Sequence, residues 1–241
     1  MAKEKSSKPI VSLIEIGGLK GVLDSAEMPY QTKSKNPVGL ANRVMGYGHK
    51  SIARHSIITF RVDNVSQSCL RQISRHPHIN LTVKSSRYCD MSNVDYNVPK
   101  SLNGNKEAIK EYHEDIEMMM SIYQKWHNYE ELVGLKDLSK MFLPLASQTD
   151  LIISGNIQAM EDMLTTRVCT RTEDEFRYIA LEMVKLLQQY DNGDKDDNTD
   201  EFIRLRFGKL GCKGKELGYC PEYKGCGLYP TKSEIKIVKN V

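Results

Sequence analysis

A short segment of alternating side chains, residues 57–63, most constrains what this chain can fold into. It alternates between two sets, Ile58, Phe60 and Val62 on one side and Ile57, Thr59, Arg61 and Asp63 on the other. Because successive side chains of a β-strand point to opposite faces, the pattern predicts a strand with one apolar face. Asn64 stands where an N-cap is expected, and residues 65–75 predict a helix that Pro77 ends.

The remaining patterns predict a chain that mixes strands and helices. Further strands are predicted at Ile10–Ile16 and Thr149–Ser154, and helices at Val38–Met45, Ser51–His55, Lys106–Tyr129, Asp137–Phe142, Asn156–Val168 and Glu173–Tyr190. The longest helix carries an apolar stripe that predicts a contact with the core or with another subunit. Composition divides the 241 residues into a domain of residues 1–205 and a Cys-, Lys- and Gly-rich tail of residues 206–241.

The overall composition excludes several classes of protein. A net charge of +3, from 34 basic and 31 acidic side chains, is too small to argue for a nucleic-acid partner. No apolar run is long enough for a secretory signal or a membrane-spanning helix, so no membrane partner is expected. Six cysteines without a secretory signal predict reduced thiols or a metal site, and a cytoplasmic location.

The tail leaves two interpretations of its thiols open. Cys212, Cys220 and Cys226 cluster among Gly and Pro, and Cys169 could act as a fourth ligand. Thiolate clusters bind zinc or an iron–sulfur cluster, but the spacing matches no standard zinc motif, so reduced structural cysteines are the alternative. The acidic run at residues 191–200 predicts a solvated loop, because it lacks the glycine and the glutamate of a calcium loop.

The densest set of anion-binding side chains lies between Gln72 and Tyr88. Arg75 and His76 are followed by a Ser85-x-Arg87-Tyr88 sequence in a stretch without acidic residues. Arginine forks and a hydroxyl suit the phosphate of a nucleotide monophosphate. From the residues alone, a solvated basic loop around a core histidine is an equal alternative.

Four segments together make this chain resemble the flavin-dependent thymidylate synthases. The Gln72–Tyr88 segment resembles the family signature, and Gly48–His55 resembles a second family motif. Leu143-Pro144 is similar to the Leu-Pro turn of the family, and residues 167–180 align without gaps on a fourth conserved region. The resemblance covers residues 38–190, and the chain is identified as a member of the family.

The resemblance implies a fold, an assembly and a reaction. It implies an α+β fold in which helices pack on an antiparallel sheet, assembled as a homotetramer with active sites shared between subunits. Such enzymes are methyltransferases of nucleotide biosynthesis. They convert dUMP to dTMP, taking a one-carbon unit from the folate methylenetetrahydrofolate and reducing equivalents from NADPH through FAD. No cysteine nucleophile is needed.

The resemblance also implies the residues of the site. The positions that match dUMP contacts are Gln72, Arg75, Ser85, Ser86, Arg87, Lys140 and Arg167. The positions that match FAD contacts are His49, Ser51, Arg75, His76, Asn156 and Asp162. Arg167 is the implied catalytic residue, because its position lies beside the pyrimidine, where a fixed cation favours ionisation at N3 and raises electron density at C5.

The chain departs from the family pattern at several positions. Pro77 stands where the family has an arginine, and Lys140 also replaces an arginine, which keeps the charge but loses the bidentate fork. These departures leave two alternatives: a same-fold enzyme that methylates C5 of a different uridine or deoxyuridine nucleotide, or a catalytically silent protein that binds flavin or nucleotide.

Overall fold

The structure is a computed structural model that describes residues 8–31, 33–193 and 198–238. The chain forms two compact units. The first comprises the described residues up to Ile10 together with Val62–Arg75 and Leu81–Ile152. The second comprises Val11–Arg61, His76–Asn80 and the described residues from Ile153 onwards.

A four-stranded sheet is built from β1 (Ile10–Ile16), β2 (Ile57–Ser66), β3 (Ile79–Val83) and β4 (Gln148–Asn156), in the order β1-β2-β4-β3. The contacts of β3 show that it runs antiparallel to β4. Gly155, near the end of β4, approaches the side chain of Ile79, whereas the Lys84 N–H donates to the Asp150 carbonyl at 3.0 Å near its beginning. The predicted strands at Ile10–Ile16 and Thr149–Ser154 are confirmed, and β3 was not predicted.

The helices lie mainly between and after the strands. They are α1 (Lys20–Glu27), α2 (Pro37–Gly46), α3 (Gln67–Ile73), α4 (Lys106–Val133), α5 (Ile157–Arg167), α6 (Asp174–Gln188), α7 (Thr199–Phe207), α8 (Lys213–Leu217) and α9 (Lys232–Val238). Short 3₁₀ turns occur at Met28–Tyr30, Lys50–His55, Lys100–Leu102 and Ser139–Phe142. Helices and an antiparallel sheet together confirm the predicted α+β class.

The predicted boundary between β2 and α3, in the first unit, is wrong. Asn64 is not an N-cap: it lies inside β2 with a φ of 61°, and its N–H donates to the Asp150 side chain at 3.1 Å. The cap of α3 is Ser66, whose hydroxyl accepts a hydrogen bond from the Cys69 N–H at 3.0 Å. A serine in extended conformation can cap a helix as well as asparagine can, so the strand continues three residues beyond the predicted end and the helix begins two residues later.

Helix α4 extends beyond the predicted range and only partly buries its apolar stripe. Asn105 caps its start by accepting from the Ala108 N–H at 3.1 Å, and Gly134 ends it with a φ of 71°. Ile116 and Tyr123 are buried, but Met119, which lies at helical spacing from both, is 42% exposed. Much of the helix therefore presents apolar side chains outward within this chain.

The second unit has a core in which α5, α6 and α7 bury Met160, Phe176, Ile179 and Phe202 completely. Asn156 caps α5 as predicted, because its side-chain oxygen accepts from the Ala159 N–H at 2.9 Å. Helix α7 was not predicted. Of the acidic run predicted to be a solvated loop, residues 194–197 lie outside the described residues, and Thr199 already begins α7.

The described part of the chain holds no helix that is both long and apolar enough to cross a membrane. The division into a domain of residues 1–205 and a tail of residues 206–241 stays a prediction.

Candidate active site

In the first unit, Gln72 and Arg75 lie at the end of α3. Gln72 is half-buried in the last turn, and Arg75 follows the helix and is exposed. The guanidinium of Arg75 has no ion-pair partner among the residues that the structure describes. It is therefore a cation that an anionic ligand could neutralise.

The loop after β3 carries the predicted Ser85, Ser86 and Arg87. The backbone turns at Ser85, whose carbonyl accepts from the Cys89 N–H at 3.0 Å and whose hydroxyl accepts from the Arg87 N–H at 3.3 Å. Both serines are half-buried, whereas Arg87 is exposed. The turn therefore fixes the backbone and leaves the arginine side chain at the surface.

The structure brings two predicted dUMP-binding cations together on one carboxylate. Arg87 donates from Nε and Nη2 to the two oxygens of Asp137 at 2.8 and 3.1 Å, and Lys140 Nζ lies 2.6 Å from Oδ1. The ammonium of Lys140 and the guanidinium of Arg87 hold the pKa of the Asp137 carboxyl below its usual range. Asp137 thus marks the position where an anion contacts both cations.

A buried carboxylate holds the turn that carries Lys140. Glu130, near the end of α4, accepts hydrogen bonds from the Leu138 N–H and from Ser139. Although burial raises the pKa of Glu130, these hydrogen bonds outweigh it and lower the pKa. Lys140 is therefore attached to a turn anchored on α4.

In the second unit, the structure brings Arg167 and His76 into direct contact. Arg167, the last residue of α5, donates from Nε to His76 Nε2 at 2.7 Å, and its guanidinium lies 4.8 Å from the ring centre of Phe176. Burial, together with the positive charge of Arg167, lowers the pKa of His76 to about 4. The imidazole is therefore neutral at pH 7, with its proton on Nδ1, because Nε2 accepts the hydrogen bond.

Two of the predicted FAD residues share a cleft in the second unit. His49 and Ser51 line a space of about 350 Å³ together with Tyr30, Ile52 and His55. A volume near the lower end of the range for small-molecule sites, about 300–1,000 Å³, fits part of a dinucleotide rather than the whole of one. Aromatic rings and a hydroxyl in its walls suit a planar, polar ring system.

The other predicted FAD residues do not line this cleft. The side-chain oxygen of Asn156 is used to cap α5, which leaves only its amide nitrogen as a donor, and Asp162 is an exposed residue of α5. The carboxylate of Asp162 would repel a pyrophosphate, so only a hydroxyl or a ring N–H suits it. The Nε2 atom of His76 is engaged by Arg167, which leaves Nδ1 for another partner.

The metal alternative for the tail cysteines finds no support among the described residues. Across residues 8–31, 33–193 and 198–238, the structure brings no three His, Cys, Asp or Glu side chains together for a metal ion. All four proposed ligands, Cys169, Cys212, Cys220 and Cys226, are free cysteines. Cys220 is instead buried in the tail, where its N–H donates to the Pro230 carbonyl at 2.7 Å.

Sequence reasoning missed Asp137, Phe176 and the contribution of Tyr30 to the cleft. Asp137 precedes Lys140 by three residues, a spacing at which opposite charges pair on a helical turn, so this signal was available. No sequence signal connected Phe176 to Arg167, because an apolar residue in the first turn of a helix most often packs in a core.

The comparison with protein families decides what kind of protein carries this site. The family model described as thymidylate synthase complementing protein matches residues 16–191. The chain belongs to the flavin-dependent thymidylate synthase family. Membership in this family of methyltransferase enzymes, predicted from the four sequence segments, is confirmed.

Sequence and structure comparisons with individual proteins support this family membership. The flavin-dependent thymidylate synthase of Thermococcus onnurineus is 29% identical over 184 residues, which cover 75% of this chain and 71% of that protein. That of Nitratidesulfovibrio vulgaris is 27% identical over 199 residues, covering 80% and 76%. The crystal structure of thymidylate synthase X from Helicobacter pylori with FAD and dUMP superposes with a TM-score of 0.56 at 21% identity, covering 74% of this chain and 93% of that one. This last likeness shows that the two chains share a fold.

Proposed function

We propose that this enzyme converts dUMP to dTMP. In the overall reaction, dUMP, methylenetetrahydrofolate and NADPH with one proton give dTMP, tetrahydrofolate and NADP⁺. The methylene group of the folate replaces the hydrogen at C5 and takes up a hydride that derives from NADPH. Membership in the family supports the reaction class. The proposal of an anionic substrate rests on one observation: Arg87 and Lys140 both pair with the Asp137 carboxylate, so together they can bind an anion.

In this proposal, Arg87 and Lys140 bind the phosphate of dUMP. A phosphate offers oxygens to a guanidinium fork and to an ammonium, as the Asp137 carboxylate does in this structure. Ser85 and Ser86 can donate hydroxyl hydrogen bonds from the same loop. Gln72 supplies an amide for the rest of the nucleotide, and Arg75 supplies a cation that is unpaired among the described residues.

Arg167 is the proposed catalytic residue, because it supplies a fixed positive charge beside the pyrimidine. Among the described residues, no carboxylate pairs with its guanidinium. Its charge is thus available to stabilise negative charge on the uracil ring as N3 ionises, which raises the electron density at C5. C5 is the atom that takes the one-carbon unit.

His49 and Ser51, in the walls of one cleft, are the strongest proposed contacts to FAD. Asn156 through its amide donor, His76 through Nδ1, Arg75 and Asp162 are the further proposed contacts. FAD, when bound, would supply the redox chemistry that NADPH drives. The residues of the cleft would hold and orient it.

We also propose that the chain assembles as a homotetramer. Several apolar side chains of α4 are exposed and recur at helical spacing, namely Met118, Ile122, Tyr129 and Val133. An exposed apolar stripe of this kind is typical of a protein interface.

We propose the cytoplasm as the location of the protein. Its six cysteines are free thiols, and thiols stay reduced in such a reducing compartment.

Release of tritium from dUMP labelled at C5 tests the proposed reaction. The purified protein is mixed with FAD, NADPH and methylenetetrahydrofolate, and the tritium that appears in water is counted. We expect release that requires the folate, since C5 loses its hydrogen only when the one-carbon unit is attached. No release from dUMP, or release from a different uridine nucleotide, would contradict the choice of substrate.

A further inference from the structure

Arg167 is held from two sides by residues of other segments. Its Nε donates to Nε2 of His76, at 2.7 Å, and His76 lies between α3 and β3. Its guanidinium carbon lies over the ring of Phe176, 4.8 Å from the ring centre, and Phe176 belongs to the first turn of α6 and is fully buried. Three separate segments therefore meet at one guanidinium.

The two supporting rings also support each other. The imidazole of His76 meets the ring of Phe176 nearly edge-on, with centroids 5.7 Å apart and an interplanar angle of 84°. Because Phe176 is part of the packed core, it cannot move without disturbing α6. The ring of His76 is in turn limited by Phe176 on one side and Arg167 on the other.

This arrangement engages one nitrogen of the Arg167 guanidinium and leaves the other two available to a ligand. Nε is engaged by His76, whereas Nη1 and Nη2 have no hydrogen-bond or ion-pair partner in the part of the chain that is described. A guanidinium is planar, so fixing Nε on His76 and holding its carbon over the Phe176 ring limits where both Nη atoms point. The free edge presents parallel N–H groups that suit two oxygens, or an oxygen and a ring nitrogen.

We propose that His76 and Phe176 are positioning residues that orient the free edge of Arg167 for a carbonyl oxygen and the ionised N3 of a uracil ring. This inference rests on the proposed role of Arg167 toward dUMP. His76 acts as a neutral acceptor, and Phe176 acts through its π face, which attracts a cation. Preorganising the fork removes an ordering cost that binding would otherwise carry.

The neutral state of His76 agrees with this role. Burial and the charge of Arg167 both disfavour a protonated ring, and the pKa of His76 falls to about 4. A protonated His76 would lose the acceptor at Nε2 and would place a second positive charge against Arg167. Among the described residues, the charged group that faces His76 and shifts its pKa is Arg167, so removal of Arg167 should raise the pKa of His76.

The first test compares two replacements of His76 in the FAD-loaded enzyme. In His76→Gln, an amide oxygen can still accept from Nε of Arg167, whereas His76→Leu has a similar size and no acceptor. Calorimetric titration should show that dUMP binds roughly tenfold to a hundredfold more weakly to His76→Leu, as expected for a hydrogen bond to a charged group. His76→Gln should stay within about threefold of the natural protein, since the acceptor is retained.

The controls separate positioning from flavin binding and from folding. Flavin absorbance of each variant reports its FAD content, and affinities are compared only at equal loading. Phe176→Leu keeps an apolar side chain in the core but removes the π face, and it should weaken dUMP binding about threefold to tenfold, the effect of a partly buried cation–π contact. Equal affinities of His76→Leu and His76→Gln would overturn the positioning role of His76.

A second measurement does not depend on dUMP at all. Nitrogen NMR of ring-labelled histidine, with His76 assigned through His76→Gln, follows its titration in the natural protein and in Arg167→Met. The pKa of His76 should rise in Arg167→Met, and an unchanged pKa would refute the contact between the two side chains. If the pKa rises but Arg167→Met still binds and converts dUMP normally, the proposed function of Arg167 fails, and the positioning role fails with it.

Discussion

Replacement of Arg87 by alanine tests phosphate recognition most sharply. In the structure, Arg87 makes two hydrogen bonds to Asp137, and its side chain is 47% exposed. When dUMP binds in the proposed manner, Arg87 exchanges this exposed ion pair for hydrogen bonds to phosphate. The variant removes those hydrogen bonds and leaves Asp137 paired with Lys140 alone.

The expected loss of dUMP affinity is the free energy of the hydrogen bonds to phosphate minus that of the ion pair with Asp137 that Arg87 breaks on binding. A hydrogen bond to a charged group contributes roughly 1.5–3 kcal/mol, and the exposed ion pair with Asp137 that is lost on binding contributes little. We therefore expect Arg87→Ala to weaken dUMP binding by about 1–2 kcal/mol, or roughly 5- to 30-fold in Kd. Lys140→Ala should have a smaller effect, because an ammonium lacks the bidentate fork.

Isothermal titration of the FAD-loaded protein with dUMP measures this change. Deoxyuridine, which lacks the phosphate, should bind the natural protein and Arg87→Ala alike. Arg71→Ala is the matched control, since it removes one exposed arginine from α3 in the same unit. An unchanged Kd for dUMP, or an equal loss for deoxyuridine, would refute phosphate recognition by Arg87.

Four further predictions concern other parts of the site and fold. Arg167→Ala should abolish turnover while flavin absorbance shows that FAD remains bound; near-normal activity would refute the catalytic role. Asn156→Asp keeps the helix cap but loses the amide donor, so FAD should bind more weakly at unchanged stability, whereas Asn156→Ala should also lose about 1 kcal/mol in urea unfolding. Gly155→Ala should lower stability by about 1–3 kcal/mol, because a Cβ there would lie 3.3 Å from the His78 carbonyl and 2.6 Å from the end of the Ile79 side chain; unchanged stability would argue against the pairing of β3 with β4. Since the pKa of His76 lies near 4, below its ordinary 6.5, the unfolded chain takes up the proton first, and acidification between these values should favour unfolding; His76→Gln should reduce this loss of stability, measured by thermal melts across that range.

Local sequence signals predicted much of the fold. The strand Ile10–Ile16 and the helix that Asn156 caps are found where alternation and capping place them. The boundary between β2 and α3 was misplaced because Asn64 and Ser66 are both good caps, and only the hydrogen bond between Asn64 and Asp150, far along the chain, decides between them. Strand β3 was missed because its five residues form too short a pattern to be told from a loop.

Site residues that lie in the family motifs could be predicted from the sequence. Residues that reach the site only through tertiary packing could not. Arg87 and Lys140 were assigned together, and the structure brings both to one carboxylate. The contact between Arg167 and the ring of Phe176 depends on how the loop after α5 returns the chain, which no short pattern encodes. The cysteine cluster left a metal site and reduced thiols both open, since closeness in sequence does not decide whether thiols meet, and the described chain does not bring three of them together.

Identification of the reaction product tests the central claim most directly. The FAD-loaded protein is incubated without oxygen with dUMP, NADPH and methylenetetrahydrofolate. The nucleotides are then separated, and their molecular masses are measured by mass spectrometry. We predict that dUMP is consumed and that dTMP, one methylene unit heavier, accumulates in equal amount only when folate and NADPH are both present. Intact dUMP in the complete mixture, while a different uridine nucleotide is methylated, would contradict the account.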